Sequence, residues 1–363
     1  MEPTGDAGGT VSSAGAAHDV TEAPAGIEVA AVTDWISSNI EGVTGPLRFI
    51  RIKGGHSNLT YEIDDSAGRK LVLRRPPLGH LLPTAHDMTR EWRFISACHP
   101  TPVPVPPPLG FCEDTDVTGA PFYVMGFVEG HVLHDAGVAE ECFDESQRRI
   151  TGESFIDVLS DLHDVDPDDA GVGDIARKEG YIARQLKRWY SQWNASKTRE
   201  LPLVDEIHDA LSNQIPDQGP ARIVHGDYRL GNCITSFDGP IAAVLDWEIA
   251  TLGDPLADLG YVLHSWPEPG EGGPAHRMSP TVVPGYPSRD ELLERYAARS
   301  GRDVSQVGFY IAFSHWKSAC IVEGVYERYL HGALDTTGVN IDAFKLSVEM
   351  AVANAARALE RSQ

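Results

Sequence analysis

Apolar and polar residues alternate with period two over Arg48–Lys53, Leu59–Asp64 and Lys70–Arg74, and Gly54-Gly55 and Asp65–Gly68 separate the three stretches. That pattern predicts half-buried antiparallel strands joined by tight turns. Over Ala85–Cys98 the spacing changes, with Met88, Trp92, Ile95 and Cys98 recurring at helical intervals, so a helix follows the strands. Pro102–Pro108 holds five prolines in seven residues, which fixes an extended connector. Pro121–Val128 is a run of aromatic and β-branched residues ending at Glu129-Gly130 and predicts one more, buried strand. Together these make a small α+β lobe.

After His131 the period turns helical. Glu145–Val165, Gly180–Trp193, Leu203–Gln214, Val304–Leu330 and Asp342–Arg361 predict helices, and Ser288 with Glu291 has the spacing of a capping box opening another. Ile223–Val224, Cys233–Ser236 and Ile241–Leu245 are short apolar strands set among Gly, Asp and Asn. Ser265–Pro287 contains six prolines and predicts a long loop of the kind that forms lids. The expected organisation is a tail over residues 1–26, a first lobe with a hinge over 27–130, and a larger, mainly helical lobe over 131–363.

Composition narrows the function. The 363 residues carry 53 Asp and Glu against 30 Lys and Arg, a net charge of −23. Such a chain lacks the basic face that binding a phosphate backbone requires, so nucleic acid is not an expected partner. No apolar run approaches the roughly 20 residues that span a bilayer, so no membrane partner is expected either. Leu47–Pro83 reverses the trend, with seven basic residues against three acidic, which makes the first lobe the natural seat for an anion. The five cysteines are scattered, odd in number and never spaced C-x-x-C, the usage of a reducing compartment, and a cytoplasmic setting is expected. Residues 1–26 are rich in Gly, Ala, Ser and Thr without a basic-then-apolar leader, which predicts a disordered tail rather than a signal peptide.

The densest chemistry lies in His225-Gly226-Asp227-Tyr228-Arg229-Leu230-Gly231-Asn232, followed by Val244-Leu245-Asp246-Trp247-Glu248. A hairpin between the two segments would bring Asn232 and Asp246 together, presenting an amide oxygen and a carboxylate. Hard oxygen donors in that number suit Mg2+, which takes its remaining ligands from water and substrate phosphates. Asp227 is then left to accept a proton or orient a hydroxyl, and the spacing from Asp227 to Asn232 matches the D-x-x-x-x-N of kinase catalytic loops. His225 is expected to buttress the loop. Asp254 and Asp258 are expected as a helix N-cap and a salt-bridge partner of Arg229, with metal ligation as the alternative.

These segments resemble the aminoglycoside phosphotransferase and choline kinase-like family: His225–Asn232 is similar to its H-G-D-x-x-x-x-N loop, and Leu245–Glu248 to its [IL]-D-[WF]-E metal segment. Leu71–Pro77, Val128-Glu129-Gly130 and Gly253–Tyr261 are similar to one subgroup. It takes in actinobacterial proteins assigned as aminoglycoside phosphotransferases and the kinase-like domain fused to some acyl-CoA dehydrogenases. The resemblance spans about Leu47 to Leu330 and implies a protein kinase-like two-lobed fold using ATP or GTP with Mg2+. It implies Asp227 as catalytic base and Asn232 and Asp246 as metal ligands, with His225, Arg229, Glu248, Asp254 and Asp258 in support. Arg74 falls where the family places a phosphate-binding Lys, with Arg75 as the alternative, and Glu91 would be its ion-pair partner. Ser57 and Asn58, in Gly54–Asn58, sit where a loop covers the phosphates, and the backbone of Gly126, Phe127 and Val128 would read the purine. Trp266, His264, Tyr326, Glu323 and Glu327 lie in segments that flank the acceptor cleft of the family, whereas Phe309, Phe313, Trp316 and Cys320 are expected as core.

The expected function is transfer of a γ-phosphoryl group to the hydroxyl of a small molecule. An acidic cleft would favour an aminoglycoside-like acceptor, and the fused subgroup a hydroxyacyl one. Two other classes are weighed against it: a metal-dependent hydrolase built on His225, Asp227 and Asp246, and a nucleotide-binding pseudokinase.

Overall fold

The computed structural model describes residues 24–52, 58–79, 87–270, 279–332 and 339–361. The expected tail and the glycines and Ser57 of the phosphate-covering loop lie outside them, apart from residues 24–26. The first lobe is an antiparallel sheet of β1 (Arg48–Arg51), β2 (Leu59–Asp64), β3 (Lys70–Arg75), β4 (Pro108–Cys112) and β5 (Phe122–Gly126), in the order β1-β2-β3-β5-β4. Helices cover both faces. On one, α1 (Val29–Asn39) buries Val32 and Ile36 against Tyr61, Ile63, Leu71, Leu73, Phe122 and Val124. On the other, α2 (Met88–Cys98) buries Phe94 and Ile95 in a second core with Val72, Tyr123 and Met125.

Strand parity therefore sorts β3. Leu71 and Leu73 enter the α1 core, so Arg75 points the same way, and its guanidinium donates to the carbonyls of Gly26 and Thr118. Arg74 shares the α2 face with Val72. Two elements differ from the expected pattern. The lobe has a second helix, α1, and the proline connector runs into β4, which starts at Pro108 on the sheet edge, where a missing N–H is tolerated.

The chain leaves β5 through Phe127–Gly130 and is at once stitched to the second lobe. His131 and Thr235 exchange backbone hydrogen bonds, each of 2.8 Å. Gly130 has φ 152°, and a Cβ there would lie 2.1 Å from the Thr235 carbonyl oxygen, so the close approach requires glycine.

The second lobe contains α3 (Ala136–Cys142), α4 (Glu145–Asp164), α5 (Tyr181–Ser196), α6 (Pro202–Asn213), α7 (Leu256–His264), α8 (Arg289–Ser300), α9 (Val307–Leu330) and α10 (Ile341–Arg361). The Ser288–Glu291 capping box forms at the start of α8. Between α6 and α7 lie two small antiparallel pairs, β6 (Arg222–Val224) with β9 (Thr251–Gly253), and β7 (Cys233–Thr235) with β8 (Ile241–Val244). Phe309, Phe313, Trp316 and Cys320 are buried in the core that α9 forms with α5, α6 and α10, as their spacing predicts. Among the described residues no helix is long and apolar enough to cross a membrane.

Candidate active site

β6 delivers the loop that begins at His225. The loop is held from beneath by Asp258, in the first turn of α7, whose carboxylate accepts from the backbone N–H groups of His225 (2.6 Å) and Gly226 (2.9 Å). Asp258 is 1 % exposed. Burial alone would push its carboxyl up, but the His163 ring and these loop donors outweigh that and hold it below the usual 3.8. His163, on α4, approaches Asp258 through Nε2 at 3.5 Å and Tyr296 through Nδ1 at 2.8 Å. A carboxylate only accepts, so Nε2 carries the proton and Nδ1 takes the tyrosine's. His225 is a buttress: Nε2 donates to the Leu245 carbonyl (2.9 Å) and Nδ1 accepts from the Asp227 N–H (3.3 Å). One ring nitrogen is engaged by the Leu245 carbonyl and the other by the loop's own backbone, which leaves neither for a metal.

Asp227 is fixed from two sides. Its Oδ2 accepts from Asn232 Nδ2 at 2.8 Å and faces Arg229 Nε at 3.4 Å. Its Oδ1 accepts the Tyr261 hydroxyl, from α7, at 2.5 Å. A single turn of 3-10 helix, Leu230–Asn232, carries the chain into β7, and the Leu245 N–H donates to the Asn232 carbonyl at 2.8 Å. The β7–β8 hairpin thus sets Asn232 beside Asp246. Asp246 has φ 64°, the left-handed region, alone among the described non-glycine residues, a mark of backbone held for side-chain placement. The next residue anchors the turn, since Trp247 is fully buried and its Nε1 donates to the Val244 carbonyl at 3.1 Å.

The first lobe meets this edge through Arg74, whose Nη2 donates to Asp246 Oδ1 at 2.6 Å and whose Nε donates to Glu91 Oε2 at 2.9 Å. Glu91 is buried and also accepts from Asn58 Nδ2 and the Tyr123 hydroxyl, each at 2.9 Å. Burial would lower the Arg74 pKa, yet Tyr123, Glu91, Asp246 and Glu248 around it reverse that and raise it. Burial raises the carboxyl of Glu91 against the pull of Arg74.

The structure thus brings Asp227, Asn232, Asp246, Arg74, Glu91 and Asn58 into one connected edge of the cleft. The carboxylate of Glu248 lies within the field of Arg74. β5 ends at Gly126, so Phe127 and Val128 carry their backbone beyond the sheet ladder. Asp258 differs from expectation, and Asp254 has a partner besides the helix. Asp254 accepts from the Leu256 N–H at 3.1 Å, as a cap does, and from the Tyr310 hydroxyl at 2.6 Å. The partner of Arg229 is Asp227 and not Asp258, because Asp258 is sealed under the loop while Arg229 is exposed. Of the acceptor-side residues, Trp266 lines a cavity of about 230 Å³ that Arg229 of the catalytic loop also lines. Glu323 is buried on Thr198 and Arg199, Tyr326 lies under Arg199, His264 pairs with His315, and Glu327 pairs with His331. Two residues that complete the site were not expected. Tyr123 is the cross-strand partner of Arg74, and Tyr261 lies one helical turn beyond Asp258 on the same face of α7.

A small β lobe joined by a hinge to a helical lobe, with an Asp-x-x-x-x-Asn loop and a second Asp on the adjoining hairpin, defines the class of kinase-like phosphotransferases. Comparison with known proteins places the chain within it: residues 48–303 match the phosphotransferase enzyme family APH, and the chain belongs to that family. It is 35% identical over 293 residues to mouse acyl-CoA dehydrogenase family member 10, a match covering 80% of this chain and 27% of that protein. A Ralstonia eutropha crystal structure, provisionally assigned as an aminoglycoside phosphotransferase, is 32% identical with a TM-score of 0.78 over 90% of this chain and 98% of that one. Spectinomycin phosphotransferase in complex with ADP and spectinomycin shares the fold, with 14% identity and a TM-score of 0.59 over 92% and 98% of the two chains.

Proposed function

We propose that the protein transfers the γ-phosphoryl group of ATP or GTP to an alcohol hydroxyl of a small molecule, aminoglycoside-like or hydroxyacyl. The two lobes would meet near residue 130, with the nucleotide between them. The observation that carries this reading is the Asp227 carboxylate, fixed through both oxygens beside an Asn232–Asp246 pair that Arg74 reaches from the other lobe.

Asp227 accepts the proton of the attacking hydroxyl, and Asn232 and Tyr261 keep its carboxylate from rotating away. Arg74, held by Glu91, places positive charge where the phosphates lie. Its planar fork engages Glu91 and Asp246 through two separate nitrogens held in one plane, a geometry that a lysine's single nitrogen does not reproduce. Asn232 and Asp246 supply an amide oxygen and a carboxylate, a donor set that fits Mg2+. The ion, when bound, neutralises charge on the β- and γ-phosphates. Ser57, Asn58 and the backbone of Gly126–Val128 complete the nucleotide side, and Glu248 adds to the negative field around Arg74.

Two measurements test this. Binding to the native state raises the melting temperature by mass action, so ATP or GTP with Mg2+ should shift it and Mg2+ alone should not. Asp227→Ala should lower turnover by about 10²–10⁴-fold while the nucleotide-induced shift persists. Near-wild-type turnover in that variant would remove Asp227 from its assigned role.

A further inference from the structure

Lys317, on α9, stands apart from the other basic residues. Among the described residues, the other half-buried lysines and arginines are tied to carboxylates, carbonyls or a phenol, as Arg74, Arg90, Lys178, Arg199 and Arg302 are. Among the described residues Lys317 alone is shielded in this way without a hydrogen bond or ion pair. Its ammonium lies 5.7 Å from the ring centroid of Trp189 on α5 and 5.7 Å from that of Tyr261 on α7. Arg188, exposed on α5, lies over the same indole at 5.0 Å and likewise has no ion pair. Two cations thus share one aromatic platform in a chain of net charge −23.

Burial lowers the pKa of Lys317; the more distant carboxylates of Asp258 and Asp227 oppose this and Arg188 adds to it. Cation–π contacts stabilise such an ammonium weakly compared with the hydration it gives up, so the arrangement has unmet demand for an anion. Its location ties that demand to the catalytic loop. Tyr261 reaches Asp227 through Oδ1, whereas Asn232 reaches it through Oδ2. Lys317 and the Asp227 carboxylate thus share one side chain, the ammonium over the Tyr261 ring and Oδ1 on its hydroxyl.

We propose that Lys317 is a specificity-determining residue for the acceptor, whose hydroxyl lies near Asp227 while an anionic oxygen of the same molecule, carboxylate or phosphate, docks on the Lys317 ammonium, with Arg188 at the rim. This rests on the phosphotransferase reading and narrows it: a polycationic acceptor would bring like charge onto two unpaired cations.

The test is thermal unfolding and calorimetric binding in saturating Mg2+ and ADP, with glycerate, 3-hydroxybutyrate, 3-hydroxybutyryl-CoA and kanamycin as probes. Wild type, Lys317→Met, Lys317→Arg and Arg188→Met are compared. Methionine keeps the volume of the side chain and removes a desolvated charge, so Lys317→Met should melt at or above the wild-type temperature without probe. At least one anionic probe should bind the wild type and lose tenfold or more in affinity in Lys317→Met. Lys317→Arg should stay within about threefold of wild type, and Arg188→Met should show a smaller loss. Preference for the carboxylates or for the CoA ester tells a carboxylate from a phosphate as the docking group. Binding of kanamycin alone, no binding of any anionic probe, or equal affinity in wild type and Lys317→Met overturns the proposal. Failure of Mg2+ and ADP themselves to shift the melting temperature is a separate result, which overturns the nucleotide reading beneath it.

Discussion

Asp258 touches no cleft-facing group except through the backbone, yet the geometry makes it the support of the catalytic loop, and Asp258→Asn measures that support. The carboxylate accepts two buried backbone N–H groups, at 2.6 and 2.9 Å. An asparagine of the same shape offers one acceptor oxygen and one N–H2, so one of the two amides would face a donor. Hydrogen bonds to charged groups contribute about 1.5–3 kcal/mol each, and an orphaned buried donor costs about 1–3 kcal/mol. The variant should lose about 3–5 kcal/mol of unfolding free energy, read by urea denaturation followed through tryptophan fluorescence and linear extrapolation. The pH dependence has a definite sign. The folded pKa of Asp258 lies below 3.8, so its stabilisation is complete above 3.8 and is lost as pH falls through the folded value. Asp258 also raises the pKa of buried His163, which burial holds below 6.5, so the gap should not shrink between pH 8 and pH 5 and should narrow only below 3.8. A gap under about 1 kcal/mol at pH 7, or one that closes between pH 7 and pH 5, would refute this account.

Two further outcomes follow from the site. Tyr261→Phe removes the hydroxyl on Asp227 Oδ1 and should lower kcat about tenfold, equivalent to about 1.4 kcal/mol, with KM for nucleotide unchanged; a rise in nucleotide KM instead would place Tyr261 on the wrong side of the reaction. Arg74→Lys keeps the charge but cannot hold Glu91 and Asp246 through two separate nitrogens, so nucleotide affinity should fall about tenfold, and equal affinity by calorimetry would show that only the charge matters.

What could be read from the chain followed how local the signal was. β2 coincides with its period-two stretch, and β3 runs one residue further, to Arg75. α8 begins at its capping box, because caps and alternation are written within a few residues. α1 has no such start signal, since its N-cap Glu28 makes no side-chain cap, and nothing in its pattern separates it from the preceding tail. The choice between Arg74 and Arg75 needed both faces of the sheet to be assigned, which only the packing of α1 and α2 supplies. The Asp227–Asn232 spacing was legible because both sit in one short loop. Tyr261 was not, since it meets Asp227 across 34 positions of sequence. Separations of 33 and 32 positions likewise hid the backbone partners of Asp258, and no period reports which donors will lie over a buried carboxylate.

The backbone at Asp246 has a further consequence. For an L-residue other than glycine the left-handed region costs about 1–2 kcal/mol, and Asp246 adopts it at φ 64°. Glycine would relieve that cost but would also leave Arg74 Nη2 without its carboxylate, so Asp246→Gly exchanges one penalty for another and erases the chemistry. A screen for expression or heat resistance would weigh only those two terms, whereas a screen for turnover would also weigh the carboxylate.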